Sequence, residues 1–146
     1  MLKVVEMDAA EQIELIDSMN FGHLACAHEN QPYIVPMHYA FDGEYIYFLT
    51  TEGVKTKWLD GNPKVCFQIE KVMDERHWQS VIILGCAARL SNAEDIGRAT
   101  NFIFKKHSSL TPALNETIVH GKEKFDGAAI YSVRMETVTG RKTARL

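Results

Sequence analysis

The sequence predicts a mainly β domain, a small six-stranded antiparallel Greek-key barrel with peripheral helices. Three observations carry this expectation. Six runs of β-branched, aromatic and small apolar residues have strand length. Asp42-Gly43 joins two of them with a hairpin signal. Three helical periodicities interrupt the series without the strict strand and helix alternation of a doubly wound sheet, and no internal repeat or low-complexity tract points elsewhere.

The elements follow in order. Asp8-Ala-Ala-Glu11 has the form of a capping box, and Ile13, Ile16 and Met19 then recur at helical spacing beside Leu15, which predicts a helix over about residues 9 to 19. Phe21 to His28 is a mostly apolar strand closed by a Glu29-Asn30 turn. Tyr33 to Phe41 is a second strand. Its Pro36 removes a ladder donor and so belongs at a sheet edge or a bulge. Across Asp42-Gly43, Tyr45 to Leu49 is expected to lie antiparallel to it. A short helix from about Thr51 ends with Gly61 at C′, and Asn62-Pro63 enforces the stop. Val65 to Ile69 and Trp78 to Leu90 are two more strands around the polar loop Met73 to His77. Ser91-Asn-Ala-Glu94 is a second capping box, opening a helix to about Lys106 with Ile96, Ala99 and Ile103 on one face and Phe102 flanking them. Ser108 to Phe125 reads as an irregular connection with at most a short helix near Leu114. Ala128 to Thr139 is a last strand with Ile130, Val133, Met135 and Val138 as core candidates, followed by the basic tail Gly140 to Leu146.

The 146 residues fit one domain, 1–146, long enough to bury a core without disulfides or metals. A net charge of −3 carries none of the basic excess that marks nucleic-acid partners. No apolar run approaches the ~18 to 20 residues needed to span a bilayer, and the N-terminus turns acidic where a signal peptide turns apolar, so a cytoplasmic protein is expected. Cys26, Cys66 and Cys86 lack C-x-x-C spacing and lie in strand-like runs, as reduced core thiols do.

Motifs for hydrolysis or metal binding are missing. The chain has no G-x-S-x-G, G-x-G-x-x-G or P-loop, and His23, His28, His38, His77, His107 and His120 show no zinc-like spacing, so no metal site is predicted. Ser80 has no nearby sequence signature for a base. What remains is Thr50-Thr51 running into a helix that carries Lys55 and Lys57. Hydroxyls, the free N–H groups of a helix start and a lysine suit a phosphate dianion, provided that the Glu52 carboxylate points outward. A Thr-Thr pair in this position also serves simply as a helix N-cap. With Trp78-Gln79-Ser80-Val81, the stretch offers phosphate donors and an aromatic wall, the two kinds of partner that a flavin mononucleotide requires. Tyr39, Tyr45, Tyr47 and Trp78 have ordinary core and interface packing as their alternative role.

Taken in order, the P-Y-x-V-P-x-x-Y strand (Pro32 to Tyr39), the T-T-x-G-x-K-x-x-x-L-x-x-N-P helix (Thr50 to Pro63) and the W-x-S-V-x-x-x-G strand (Trp78 to Gly85) resemble the pyridoxamine 5′-phosphate oxidase-like, FMN-binding split-barrel family, nearest its nitroimidazole reductase branch. The resemblance implies a six-stranded split barrel, FMN as cofactor and a homodimer with its sites in clefts between subunits. It places Lys55 and Thr51, with Thr50 close by, on the FMN phosphate. Ser80 with Gln79 would reach the phosphate or ribityl chain, and the backbone of Pro36, Met37, His38 and Tyr39 would face the ring. Trp78 and the tail near Arg141 would serve the partner's site. The implied activity is that of an oxidoreductase on an unknown small-molecule substrate. No residue is assigned as a catalytic acid or base, although His38 and Tyr39 are the first to consider. Val54 stands where relatives often carry Arg, and Leu49 where the reductase branch often carries His. The longer C-terminal region with which the true oxidase grips its substrate is missing, so pyridoxamine 5′-phosphate oxidase activity is not expected. Two rival uses of the barrel are a haem-binding or haem-degrading protein, with His120 as axial ligand, and a flavin-binding module without turnover.

Overall fold

A computed structural model describes residues 1–107 and 128–145, which form eight strands and three helices. Strand β1 (Leu2–Glu6) precedes helix α1 (Ala9–Ser18), and β2 (Phe21–His28) and β3 (Gln31–His38) follow as a hairpin. Its turn, Glu29-Asn30, has φ of 48° and 64°, the left-handed pair that a tight two-residue hairpin needs. A two-residue strand β4 (Ala40–Phe41) pairs with β5 (Tyr45–Thr51), which leads into helix α2 (Val54–Gly61). The long strands β6 (Lys64–Asp74) and β7 (His77–Arg89) precede helix α3 (Ala93–Lys106), and β8 (Ala128–Arg145) completes the described chain.

The mainly antiparallel barrel with peripheral helices agrees with the expectation, but several elements differ in detail. The basic tail is no tail. It continues β8 and pairs with β1, a strand the acidic N-terminus did not suggest, in the register Leu2↔Arg145 to Glu6↔Arg141. The expected strand Tyr33 to Phe41 breaks at Tyr39: β3 pairs with β2, and only Ala40 and Phe41 pair with β5. Helix α2 starts at Val54 and not at Thr51, because β5 holds Thr50 and Thr51 against Ala129 and Ala128. Gly61 is its last residue, with Asn62 as C-cap. Helix α3 is capped by Asn92, whose Oδ1 accepts from the N–H of Glu94 at 2.8 Å, and not by Ser91. In α1 the reciprocal Asp8–Glu11 box is present, yet Leu15 and Ile16 are buried while Ile13 is exposed. The segment Ser108 to Phe125, its short helix and His120 lie outside the described residues. No helix among the described residues is long and apolar enough to cross a membrane.

The sheet runs in the order β3-β2-β6-β7-β8-β5-β4, with β1 on β8. Its first and last strands, β3 and β4, are separated in sequence by Tyr39 alone, so the sheet curls until its ends meet at that residue. Tyr39 secures the seam. Its ring is fully buried against Phe67, and its hydroxyl donates to the Ile16 carbonyl at 2.6 Å, which fastens α1 over the barrel mouth. Pro36 sits on β3 at the seam, where a missing N–H costs no ladder bond. Inward residues alternate along every long strand: Leu24, Phe67, Ile69, Val81, Ile83, Tyr131 and Val133 are all at most 1% exposed. At about 1.5 to 3 kcal/mol per large apolar side chain, this layer supplies the main driving force for closure.

On the other face of β3, β2, β6 and β7, no helix among the described residues lies over the centre. Register brings Ile34, Ala25, Cys66 and Leu84 into one row and Ile82 into the next, and Ile34, Leu84 and Ile82 are 63%, 49% and 42% exposed. Cys66 and Cys86 are half-buried on this outer face. Of the three free thiols only Cys26 joins the core, because pleat alternation, and not apolar neighbours in sequence, decides the side.

Candidate functional site

Lys55 is the second residue of α2, so its position follows from where that helix starts. No side chain caps the first turn. The Gly53 N–H donates instead to Thr56 Oγ1 at 2.9 Å, and Thr56 is fully buried. A Cβ added to Gly53 would meet nothing within 4 Å among the described residues. The first N–H groups of α2, which no side chain caps among the described residues, carry partial positive charge. Lys55 is half-buried, and this burial lowers its pKa from that of an ordinary lysine. Its ammonium lies close enough to the Cys26 thiol on β2 for the two to interact. It forms no ion pair among the described residues. A desolvated cation without a counter-charge is costly unless an anion arrives.

Glu52, the acid that could spoil this cradle, is committed elsewhere. Arg89, at the end of β7, donates from Nη1 to Oε1 at 2.6 Å and from Nη2 to Oε2 at 3.0 Å, a bidentate pair that holds the Glu52 carboxyl below its ordinary pKa. The same guanidinium reaches Asp60 at 3.3 Å and donates to the Tyr131 hydroxyl at 3.1 Å. Tyr131 in turn donates to Asp60 Oδ1 at 3.0 Å. Burial raises the Tyr131 pKa, so the phenol stays protonated and serves as a fixed donor. Sequence reasoning missed Arg89, Asp60 and Tyr131 as supports of the helix, since Arg89 reads there simply as the end of a strand.

The other expected site residues fall into separate places. Thr51 is exposed beside the helix start, while Thr50 is buried and its hydroxyl donates to the Thr51 carbonyl at 3.3 Å. Ser80 lies on the outer sheet face, accepting from Gln68 Nε2 at 3.0 Å and paired in register with Arg141. Gln79 points to the opposite face, where it lines a small cavity with Glu11, Glu14, Leu15, Ser18 and Lys71. Trp78 stays close to the end of β8, its N–H donating to Thr143 Oγ1 at 3.1 Å. Ala25, next to Cys26, pairs with Cys66, whereas Ser80 pairs with Glu70. Four residues along β6 and two strands across amount to about 16 Å. Ser80 is thus placed apart from Ala25, the neighbour of the Cys26 that Lys55 approaches.

On β3, Pro36 is exposed and pairs with His23. Met37 is buried, and the exposed His38 packs edge-on to Phe21 at 4.6 Å and His107 at 5.1 Å. The Tyr39 carbonyl accepts from His107 Nε2 at 2.6 Å, and burial lowers the His107 pKa. Burial raises the Tyr39 pKa, and its hydroxyl already serves Ile16, so Tyr39 is a structural phenol. His38 is the exposed titratable side chain of the pair.

The profile of the family described as pyridoxamine 5′-phosphate oxidase matches residues 8–142. An uncharacterized protein of Rhizobium meliloti (strain 1021) is 29% identical over 126 residues, covering 84% of this chain and 83% of its own. Among solved structures, a FAD-binding protein from Mesorhizobium loti superposes with a TM-score of 0.77 at 25% identity, covering 95% of this chain and 97% of its own. A proposed 5-nitroimidazole antibiotic resistance protein from Bacteroides thetaiotaomicron shares the fold with a TM-score of 0.76 at 17% identity, over 100% of this chain and 93% of its own.

Proposed function

Because the chain belongs to the pyridoxamine 5′-phosphate oxidase family, we propose that it is a flavoprotein that binds FMN non-covalently and acts as an oxidoreductase on a small-molecule substrate. The observation that carries this reading is the half-buried Lys55, which has no ion pair among the described residues, at the start of α2, where no side chain among them caps the first turn and the neighbouring acid is held by Arg89. This donor set fits a terminal phosphate. Lys55, the first backbone N–H groups of α2 and Thr51 would hold the phosphate, and the backbone of Pro36 to Tyr39 would face the ring. Bound FMN supplies the electron or hydride transfer, while the chain binds it, orients it and excludes water.

The active unit is a homodimer. By strand register Ser80 stands apart from the Lys55 neighbourhood within one chain, and the two serve one cofactor if a second copy supplies one of them, whereas Gln79 faces α1 on the opposite side of the sheet. The outer face with the exposed Ile34, Ile82 and Leu84 is the surface suited to receive that copy.

Titration of the purified protein with FMN tests the cofactor: protein binding should quench flavin fluorescence with a clear preference over riboflavin, which lacks the phosphate. Unquenched FMN at micromolar protein, or a strong haem band in place of a flavin spectrum, overturns the reading. Reduction of the bound flavin by NADH or NADPH separates an oxidoreductase from a passive flavin carrier.

A further inference from the structure

A single guanidinium holds both flanks of α2. Arg89 grips Glu52, the residue before the Gly53 N-cap, with two bonds of 2.6 and 3.0 Å, and it contacts Asp60 in the last turn at 3.3 Å. Tyr131, 1% exposed and stacked on Phe48 at 5.2 Å, anchors the group to β8 through its bonds to Arg89 and Asp60. A helix this short gains little from its own hydrogen bonds, so its placement depends on packing, with Leu59 in the core and Thr56 fully buried, and the Arg89 contacts add to this at its flanks.

The Glu52 contact has a further effect. A carboxylate beside an uncapped helix start is drawn to the same N–H groups and the same positive potential that attract a phosphate. Glu52 is close enough to the first turn for the Thr56 hydroxyl to interact with it as well. Released from Arg89, it could occupy the donors of the cradle or pair with Lys55, three residues on. We infer that Arg89 is a positioning residue for anion binding: by holding Glu52 it prevents the chain's own carboxylate from competing with the phosphate of the cofactor. This inference rests on the phosphate cradle proposed above and adds a residue that the family's binding motif does not contain.

The test is a double-mutant cycle in the full-length protein, with FMN and riboflavin titrated into wild type, Arg89→Gln, Glu52→Gln and the double variant at one ionic strength. Arg89→Gln should weaken FMN by roughly tenfold, the scale of one like charge placed close to the ligand near a protein surface, and leave riboflavin almost unchanged. The double variant should regain most of the lost FMN affinity, although it lacks both halves of the ion pair. In Arg89→Gln the FMN affinity relative to wild type at the same pH should also recover as pH falls through the ordinary carboxylate range and Glu52 is neutralised, since the phosphate loses its second charge equally in both. Glu52→Gln alone keeps Arg89 on Asp60 and Tyr131, folds independently of the outcome for Arg89→Gln, and should bind FMN at least as tightly as wild type. A double variant as weak as Arg89→Gln, equal losses for the two flavins, or weaker FMN binding in Glu52→Gln overturns the role of Arg89 while leaving the cradle intact. A wild type that does not prefer FMN to riboflavin overturns both.

Discussion

Replacing Lys55 with alanine separates stability from binding, because the side chain is unfavourable until an anion arrives. The ammonium is half-buried without a counter-charge among the described residues, and burial lowers its pKa. Below the folded-state pKa the burial penalty is fully present. It fades as pH rises from there towards the ordinary lysine value of about 10.4, since over that window the unfolded chain binds the proton that the folded chain has given up. The Lys55→Ala apoprotein should therefore be no less stable than wild type near neutral pH, and it should lose this alkaline rise in stability. Ligand binding should show the opposite. A charge-assisted bond to phosphate contributes about 1.5 to 3 kcal/mol, so the variant should bind FMN roughly ten- to a hundredfold more weakly and riboflavin almost as before. Wild-type FMN affinity should fall across the alkaline window as Lys55 deprotonates. Lys57, exposed on another helix face, provides the control, and Val54, 55% exposed, leaves room for Val54→Arg to tighten FMN selectively. Denaturant midpoints of the apoproteins and fluorescence titrations with both flavins measure each quantity. Equal losses for FMN and riboflavin in Lys55→Ala would refute the reasoning, as would a marked loss of apoprotein stability.

Two further outcomes concern the scaffold. Gly85 sits where the β7–β8 register shifts, and a Cβ there would stand 2.0 Å from the Arg134 carbonyl oxygen, so Gly85→Ala should lower stability by about 3 kcal/mol or more in urea unfolding. An unchanged midpoint would show that the bulge is pliable. Ile82→Asp with Leu84→Asp places charges on the outer face without entering the core, so sedimentation should give a monomer that has lost FMN affinity; a dimer that persists would put the subunit contact elsewhere.

The parts legible in the sequence were those fixed by local chemistry. The Asp8–Glu11 cap, the Glu29-Asn30 turn and the edge position of the Pro36 strand depend on neighbours a few residues apart, whereas the start of α2, expected near Thr51, is moved to Val54 by the pairing of β5 with β8. Long-range pairing was less legible. The polar stretch Gly140 to Arg145 has weak strand character of its own and is a strand because β1 and β7 lie on either side of it. The tie between Arg89 and Glu52, 37 residues apart, has no local signature. Opposite faces for Gln79 and Ser80 follow from strand alternation, but the 16 Å between Ser80 and the Lys55 neighbourhood needs the register of three strands and could not be read from motif order.

The placement of β8 also bears on how the chain is made. This strand pairs with β7 on one side and with β5 and then β1 on the other, yet it is the last of the described strands to be synthesised. At about 5 to 20 residues per second, the nascent chain carries β5 and β7 with unpaired edges for on the order of seconds before their shared partner leaves the ribosome. During that interval Phe48 and Val133 cannot be buried together, the curl of the sheet has nothing to close it, and two apolar edges are open to other chains. Expression yield should therefore respond to the rate at which the C-terminal third is delivered, at constant stability of the finished protein.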